Sequence, residues 1–228
     1  KNRDERWIVA RIALIKMFSG MYISFAQLLG ELERSGHEGH IFTFKHYRNV
    51  PEKDLDKFLI DEFPTFGWSI SKDREGERST WNAYTPINNK ELDYLIQELK
   101  KFQPDALAFT SQSTSIKING ELVKRLKEHF DLPVIWGGPG PNIEPERSLL
   151  YADVVCANEG EEVIVEIAKR LDSGESLHDI AGTWVKSETG ESVKNPARQF
   201  RDLNEIAIPS RNMEKYTYVG IRGVKKNP

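Results

Sequence analysis

The chain has 228 residues, with 35 acidic and 32 basic side chains, a net charge of -3 and a pI near 6.0. That balance gives no general attraction for polyanions and argues against nucleic acid as a partner. A single cysteine, Cys156, excludes a disulfide framework and a cysteine-rich metal site, and no apolar run approaches the ~20 residues needed to span a bilayer. The charged start KNRDERW carries no signal-peptide core, so no membrane association and a cytoplasmic location are expected.

In chain order, Ile8 to Met17 (IVARIALIKM) is apolar and β-branched, the pattern of a buried strand. FSGMY follows as a loop. Phe25, Leu28, Leu29 and Leu32 then repeat at helical spacing, Gly36 is placed to cap that helix, and HIFTF (His40 to Phe44) reads as a second strand. Residues 46–89 break the pattern. They hold five Pro and Gly residues, the charged run KDREGER and the aromatics Phe58, Phe63, Phe66, Trp68, Trp81 and Tyr84. A short helix near Asp54 to Phe63 is expected, and the rest is an insertion whose aromatics pack against something, a lid over a ligand being one reading.

Alternation returns after residue 89. Leu92, Leu95, Ile96 and Leu99 mark a helix, and Asp105 to Thr110 a strand. Ile118, Leu122, Leu126 and Phe130 mark a second helix, PVIW a strand, and EPERSLLYA a short helix. Asp153 to Ala157 is a fifth strand, and Val163, Ile164, Ile167 and Leu171 mark a last helix. GTWVKSETGESVKNP reads as a hairpin turning at Thr189-Gly190, and residues 199–228 show no strong period. Five apolar strands alternating with amphipathic helices predict an α/β, doubly wound, flavodoxin-like or Rossmann-like parallel sheet of order 2-1-3-4-5. Ligands in such sheets sit at the carboxyl ends of the strands, where the chain reverses direction.

The loops at those ends hold Ser19, Gly20, Met21 and Tyr22 after strand 1, and Ser111, Gln112, Ser113 and Thr114 after strand 3. Gly137, Gly138 and Pro139 follow strand 4, and Glu159 and Gly160 follow strand 5. Taken singly, each is ordinary: a capped helix, a turn, acids at a positive helix end. Together they form a rim rich in hydroxyls and glycine, with few charges. No catalytic residue is assigned: no histidine stands beside a serine, and P-loop, nucleophile-elbow and Gly-x-Gly-x-x-Gly patterns are absent. Such a rim suits a large cofactor gripped by backbone and hydroxyl contacts. The two histidines of GHEGH (His37, His40) lack metal-site partners, so no metal ligand is assigned, and Cys156 reads as a small buried hydrophobe. A flavodoxin-like nucleotide- or flavin-binding module, or the Rossmann-like half of a nucleotide-sugar enzyme, are the alternatives at this point.

The stretches IALIKMFSGMYISFAQLLGELERSGHEGHIF, PDALAFTSQSTS, LPVIWGGPGPN and ADVVCANEGEEVIVEIAKRL, continuing into IAGTWVKSETGESVKNPARQFRDLNEIAIP, carry a resemblance. The chain resembles the N-terminal cobalamin (vitamin B12)-binding domain of cobalamin-dependent radical S-adenosylmethionine (SAM) enzymes. The resemblance covers about residues 8–210 apart from 46–89. It implies that Ser111, Gln112, Ser113 and Thr114 line the pocket for the nucleotide tail of cobalamin, bordered by Glu159 and Gly160. It implies too that Gly137 and Gly138 clear a slot for the benzimidazole between strands, and that the Phe18–Tyr22 loop lies under the corrin. Many cobalamin domains carry Asp-x-His-x-x-Gly after strand 1, but here KMFSGMYISF has no histidine. The resemblance therefore implies base-off cobalamin without a histidine lower ligand, with Tyr22 or Met21 toward the metal.

The family's cluster-binding Cys-x-x-x-Cys-x-x-Cys is missing, and Val224 stands where its first cysteine is expected. The resemblance thus implies a cobalamin domain (residues 1–200) and a linker (201–228) toward a radical SAM domain that lies outside this chain. That domain would hold S-adenosylmethionine and a [4Fe-4S] cluster. The intact protein would be a methyltransferase, of which this chain alone is not the catalytic part.

Overall fold

The structure is a computed structural model describing residues 9–17, 23–45, 48–51, 80–83, 87–187 and 189–226. Strand β1 (Arg11–Met17) leads through α1 (Ile23–Arg34) to β2 (Glu38–Phe44). The two short strands β3 (Arg48–Pro51) and β4 (Thr80–Ala83) precede α2 (Asn89–Phe102), β5 (Ala106–Thr110) and α3 (Ile116–Lys127). Then come β6 (Val134–Gly137), the short helices α4 (Pro139–Ile143) and α5 (Pro145–Ser148), β7 (Val154–Cys156) and α6 (Glu161–Ser173). The chain closes with β8 (Thr183–Lys186), β9 (Ser192–Lys194), β10 (Tyr216–Gly220) and β11 (Gly223–Lys226).

The strands are continuous apolar runs because helices cover both faces of the sheet, so alternate residues are buried in opposite directions. On one side Ile12, Leu14, Ala108 and Ile135 meet Phe25, Leu29 and Leu32 of α1 and Val163, Ile164 and Ile167 of α6. On the other, Ala13, Ile15, Phe109 and Trp136 meet Leu95 and Leu99 of α2 and Leu122 and Leu126 of α3. Each such aliphatic side chain contributes roughly 1.5–3 kcal/mol on burial, so the two cores, and not helix propensity, hold these helices in place.

β1 lies between β2 and β5, parallel to both, with Leu14 opposite Ile41 on one side and Ala108 on the other. The five strands expected from the pattern run β2-β1-β5-β6-β7 through the centre of the sheet. Among the described residues the sheet has nine strands, not five, in the order β11-β10-β2-β1-β5-β6-β7-β8-β9. The β8–β9 hairpin continues it antiparallel beyond β7, with Val155 opposite Trp184. Residues 216–226, within the stretch expected to be a linker, form strands at the opposite edge. β10 runs parallel to β2, with Thr217 opposite Phe42, and buries Val219 completely. A strand with one buried valine beside two tyrosines and a threonine is too short to show a period, which is why its pattern carried no strand signal.

Residues 198–210 are strapped across α1. Ala207 N–H donates to Glu31 Oε1 at 2.7 Å, Ser210 N–H to the Ala26 carbonyl at 2.8 Å, and the Gln27 amide to the Ala207 carbonyl. Gly30 makes this approach possible, since a Cβ there would lie 2.3 Å from the Ile208 carbonyl oxygen. Arg34 and Arg201 close on the same Glu31, which is 2% exposed.

Within 46–89 the described residues form an antiparallel pair, Arg48 opposite Ala83. The helix expected near 54–63 and the aromatics Phe58, Phe63, Phe66, Trp68 and Tyr84 lie outside the described residues, as does any lid they would form. Among the described residues no helix is long and apolar enough to cross a membrane.

Candidate functional site

The chain reverses direction between β1 and β5, and a cavity of about 440 Å³ opens at the carboxyl ends of the strands beside that point. Its floor is the α1/α6 face of the sheet: Ala108 and Thr110 from β5, Ile135 and Gly137 from β6, and Cys156 from β7. Phe25 and Leu28 of α1 form one wall, and Val163 and Ile164 of α6 the other. The space exists because the last core-facing residues of three neighbouring strands are small. Ala108, Gly137 and Cys156 leave a gap that leucine or isoleucine would fill.

The two loops above β5 and β6 are laced together. Ser111 N–H donates to the Gly137 carbonyl at 3.2 Å, and Gly140 N–H donates to the Ser111 carbonyl at 2.9 Å. The Ser111 hydroxyl accepts from the indole N–H of fully buried Trp136 at 2.8 Å. Ser115 accepts from Gln112 N–H at 3.2 Å, which closes the turn that precedes α3.

The three glycines here differ in cause. Gly138 has φ +103°, and a Cβ on it would lie 2.4 Å from Thr110 Oγ1 and 3.1 Å from the Ser111 carbonyl oxygen. A Cβ on Gly140 would lie 2.6–2.9 Å from the backbone of Gln112 and Ser113. The fold therefore demands glycine at 138 and 140. Gly137 is different: a Cβ there would meet only Cys156 Cβ, at 3.7 Å, an ordinary contact. The protein does not require glycine at 137, and its missing side chain is open cavity.

After β7, Asn158 holds a positive φ of 134°, its N–H donating to Asn142 Oδ1 at 2.9 Å. This pins the Asn158–Gly160 turn, and with it the start of α6, against α4. The Cys156 thiol is 5% exposed, its Sγ lies 3.5 Å from the Glu159 carbonyl, and burial, reinforced by Glu161, pushes its pKa up to about 12. Lys16, at the end of β1 opposite Thr110, is 9% exposed, and burial lowers its pKa to about 8.

Of the residues expected at the rim, Ser111, Gln112, Gly137, Gly138, Pro139, Glu159 and Gly160 line the cavity. Ser113 and Thr114 do not: Ser113 bonds to the Glu144 carboxylate, and the Thr114 hydroxyl is buried without a partner. Ser19, Gly20, Met21 and Tyr22 lie outside the described residues. The expectation of a slot between strands needs correction too. β6 is paired on both sides, Ile135 with Ala108 and with Val154, so no gap separates the strands and the slot runs over the sheet face. His37 and His40 point away from the cavity, His37 to Asp172 at 3.3 Å and His40 to Thr217 at 2.8 Å. The walls, Phe25, Leu28, Val163 and Ile164, and the floor residue Cys156 read in the sequence only as core. The available signal was the run of small residues at the ends of adjacent strands.

Residues 78–168 match the family model described as the B12 binding domain, a span containing β5, β6 and β7 with the loops that follow them. The chain is 31% identical over 132 residues to an uncharacterized methyltransferase of Pyrococcus horikoshii, covering 54% of this chain and 28% of that protein. It is also 31% identical over 134 residues to an uncharacterized protein of Methanocaldococcus jannaschii, covering 58% and 25%. Among solved structures, the cobalamin-dependent S-adenosylmethionine radical enzyme OxsB with aqua-cobalamin bound superposes with a TM-score of 0.62 at 14% identity over 90% of this chain and 24% of that one. The radical S-adenosylmethionine methyltransferase TsrM from Kitasatospora setae, with cobalamin and a [4Fe-4S] cluster bound, gives 0.56 at 14% identity over 89% and 32%. The chain thus spans about a quarter of the curated relatives and a quarter to a third of these structures. Its centre matches a B12-binding domain in sequence, and its mixed, mainly parallel α/β fold is shared with enzymes that hold cobalamin.

Proposed function

We propose that this chain is a cobalamin-binding module. The observation that carries the reading is the apolar slot over Ala108, Ile135 and Cys156, opening at a glycine, Gly137, that the protein itself does not need. A flat, apolar ring matches that shape, and the mouth above it offers hydroxyls and backbone to a phosphate and sugar. The slot would take the benzimidazole of the nucleotide tail. Thr110, Ser111 and Gln112 at the end of β5, and Glu159-Gly160 before α6, would border the rest of the tail. Pro139 and Gly138 would support it from β6.

Among the described residues lining the cavity there is no histidine. Benzimidazole seated in the slot would stand apart from the metal, and the cofactor would then be held base-off without a histidine below. When bound, cobalamin supplies a methyl group carried on cobalt. The chain holds one cysteine and so cannot itself hold a [4Fe-4S] cluster. In this reading the cluster and S-adenosylmethionine belong to a radical SAM domain of the same polypeptide, and the whole is a methyltransferase. Support comes from the B12-binding match and from relatives of which the match covers only 28% and 32%.

The test is retention. The purified chain is mixed separately with hydroxocobalamin, FMN and a UDP-sugar, passed through gel filtration, and its visible and ultraviolet spectra recorded. Cobalamin alone eluting with the protein, near one per chain, is expected. FMN or the UDP-sugar co-eluting in its place would replace this reading with a flavin or sugar-nucleotide site.

A further inference from the structure

The lining of the slot is divided by chemistry. Side-chain hydroxyls stand at its mouth, on Thr110, Ser111 and Ser115. Its depth is Ala108, Ile135, Cys156, Phe25, Val163 and Ile164, each no more than 5% exposed. The strand backbone beneath offers nothing further, because the amides of β5 and β6 are spent on their ladders, Ala108 pairing Ile135 and Ile135 pairing Val154. On this face of the sheet the heteroatom at depth, Cys156 Sγ, lies 3.5 Å from the Glu159 carbonyl, and its raised pKa keeps it a neutral thiol, while Asn119, 1% exposed and with its Oδ1 unpartnered, lines the cavity from α3, the helix that covers the opposite face.

We propose that this slot selects the lower base of the cofactor, accepting benzimidazole and rejecting adenine. The inference rests on the cobalamin reading and goes beyond it to the class of cobamide bound. The six-membered ring of dimethylbenzimidazole presents only hydrocarbon at its edge. Adenine in the same place brings an exocyclic amino group and extra ring nitrogens, which would leave water and find no partner among Ala108, Ile135, Phe25, Val163 and Ile164. A buried donor left unpaired carries its full desolvation penalty, and an apolar pocket has no compensating bond to offer.

The test compares the dissociation constants of the full chain for cobalamin, for the cobamide with adenine in place of dimethylbenzimidazole, and for cobinamide, which lacks the nucleotide tail. Visible-absorbance titration at fixed salt reads all three. Cobalamin is expected to bind at least roughly ten-fold more tightly than the adenine cobamide, about 1.4 kcal/mol, and more tightly than cobinamide. Ala108→Ser, which adds one hydroxyl to the floor, is expected to narrow the cobalamin-to-adenine ratio by about three-fold or more. Equal affinity for the two cobamides, with cobinamide weaker, would overturn the selectivity while leaving the cofactor assignment standing. Cobinamide equal to cobalamin would put the tail outside the slot and overturn it as well. Failure of all three to bind would remove the cofactor reading itself.

Discussion

Gly137→Val separates the fold's needs from the ligand's. Position 137 ends β6, opposite Thr110 of β5, and its missing Cβ has one protein neighbour, Cys156 Cβ at 3.7 Å. A β-branched residue suits a strand, and replacing glycine removes backbone freedom from the unfolded chain. The variant should therefore fold, with stability unchanged or raised by about 0.5–1 kcal/mol, a rise in melting temperature of no more than about 2–4 °C for a chain of this size. The valine methyls would occupy the slot mouth, and forcing a ring past them costs roughly 1–3 kcal/mol. That corresponds to a five- to hundred-and-fifty-fold weaker cobalamin affinity. Gly138→Ala is the control. There the methyl meets Thr110 Oγ1 at 2.4 Å on a backbone with φ +103°, so the apoprotein itself should lose about 1–3 kcal/mol. Thermal melts of both apoproteins and cobalamin titrations of both variants decide the matter. If Gly137→Val destabilises the apoprotein as much as Gly138→Ala, or binds cobalamin like the parent, the reasoning about the cavity is wrong.

Four further outcomes are expected. Ser111→Ala leaves the Trp136 indole N–H buried without its 2.8 Å acceptor and should cost about 1–3 kcal/mol, with a changed Trp136 fluorescence, read by urea melts. Burial, aided by Lys215 and Lys226, lowers His40 to about pKa 4, so between pH 4 and 6.5 the unfolded chain binds the extra proton. Stability should thus fall by on the order of 2–3 kcal/mol as pH drops from 6.5 to 4, and His40→Gln should flatten that slope. Cys156 should resist iodoacetamide at pH 8 in the native protein while the denatured chain is labelled, and a native thiol that labels as fast as free cysteine would contradict its burial. Glu31→Ala removes the acceptor shared by Arg34, Arg201 and Ala207 N–H, and should expose residues 198–210 to limited proteolysis.

The centre of the fold was legible because it obeys one rule: strands buried on both faces read as apolar runs, as in Ile12–Ile15 and Ala106–Phe109, and their helices show stripes such as Leu92-Leu95-Ile96-Leu99. The edges were not. β10 pairs through its backbone and buries little beyond Thr217 and Val219, and backbone pairing leaves no pattern in side chains. The rim was legible at Ser111 and Gly137-Gly138, where residue type departs from its surroundings. It misled at Ser113 and Thr114, since a hydroxyl in a loop gives no sign of whether it turns to a ligand or, as Ser113 does, to Glu144. The apolar walls stayed hidden because Phe25 and Val163 satisfy the helical stripe whether they touch a core or a ring. Gly137 and Gly138 looked alike as letters, and only the space around each shows that the fold demands one and leaves the other bordering open cavity.

The most direct measurement is a crystal structure of the chain grown with cobalamin. The account predicts the benzimidazole over Ala108, Ile135 and Cys156, between Phe25 and Val163, detached from the metal and crossing the sheet edge at Gly137. Cobalamin found with its base still on cobalt, or seated elsewhere, such as in the charged cleft of Arg34, Glu166, Arg198 and Arg201, would contradict it.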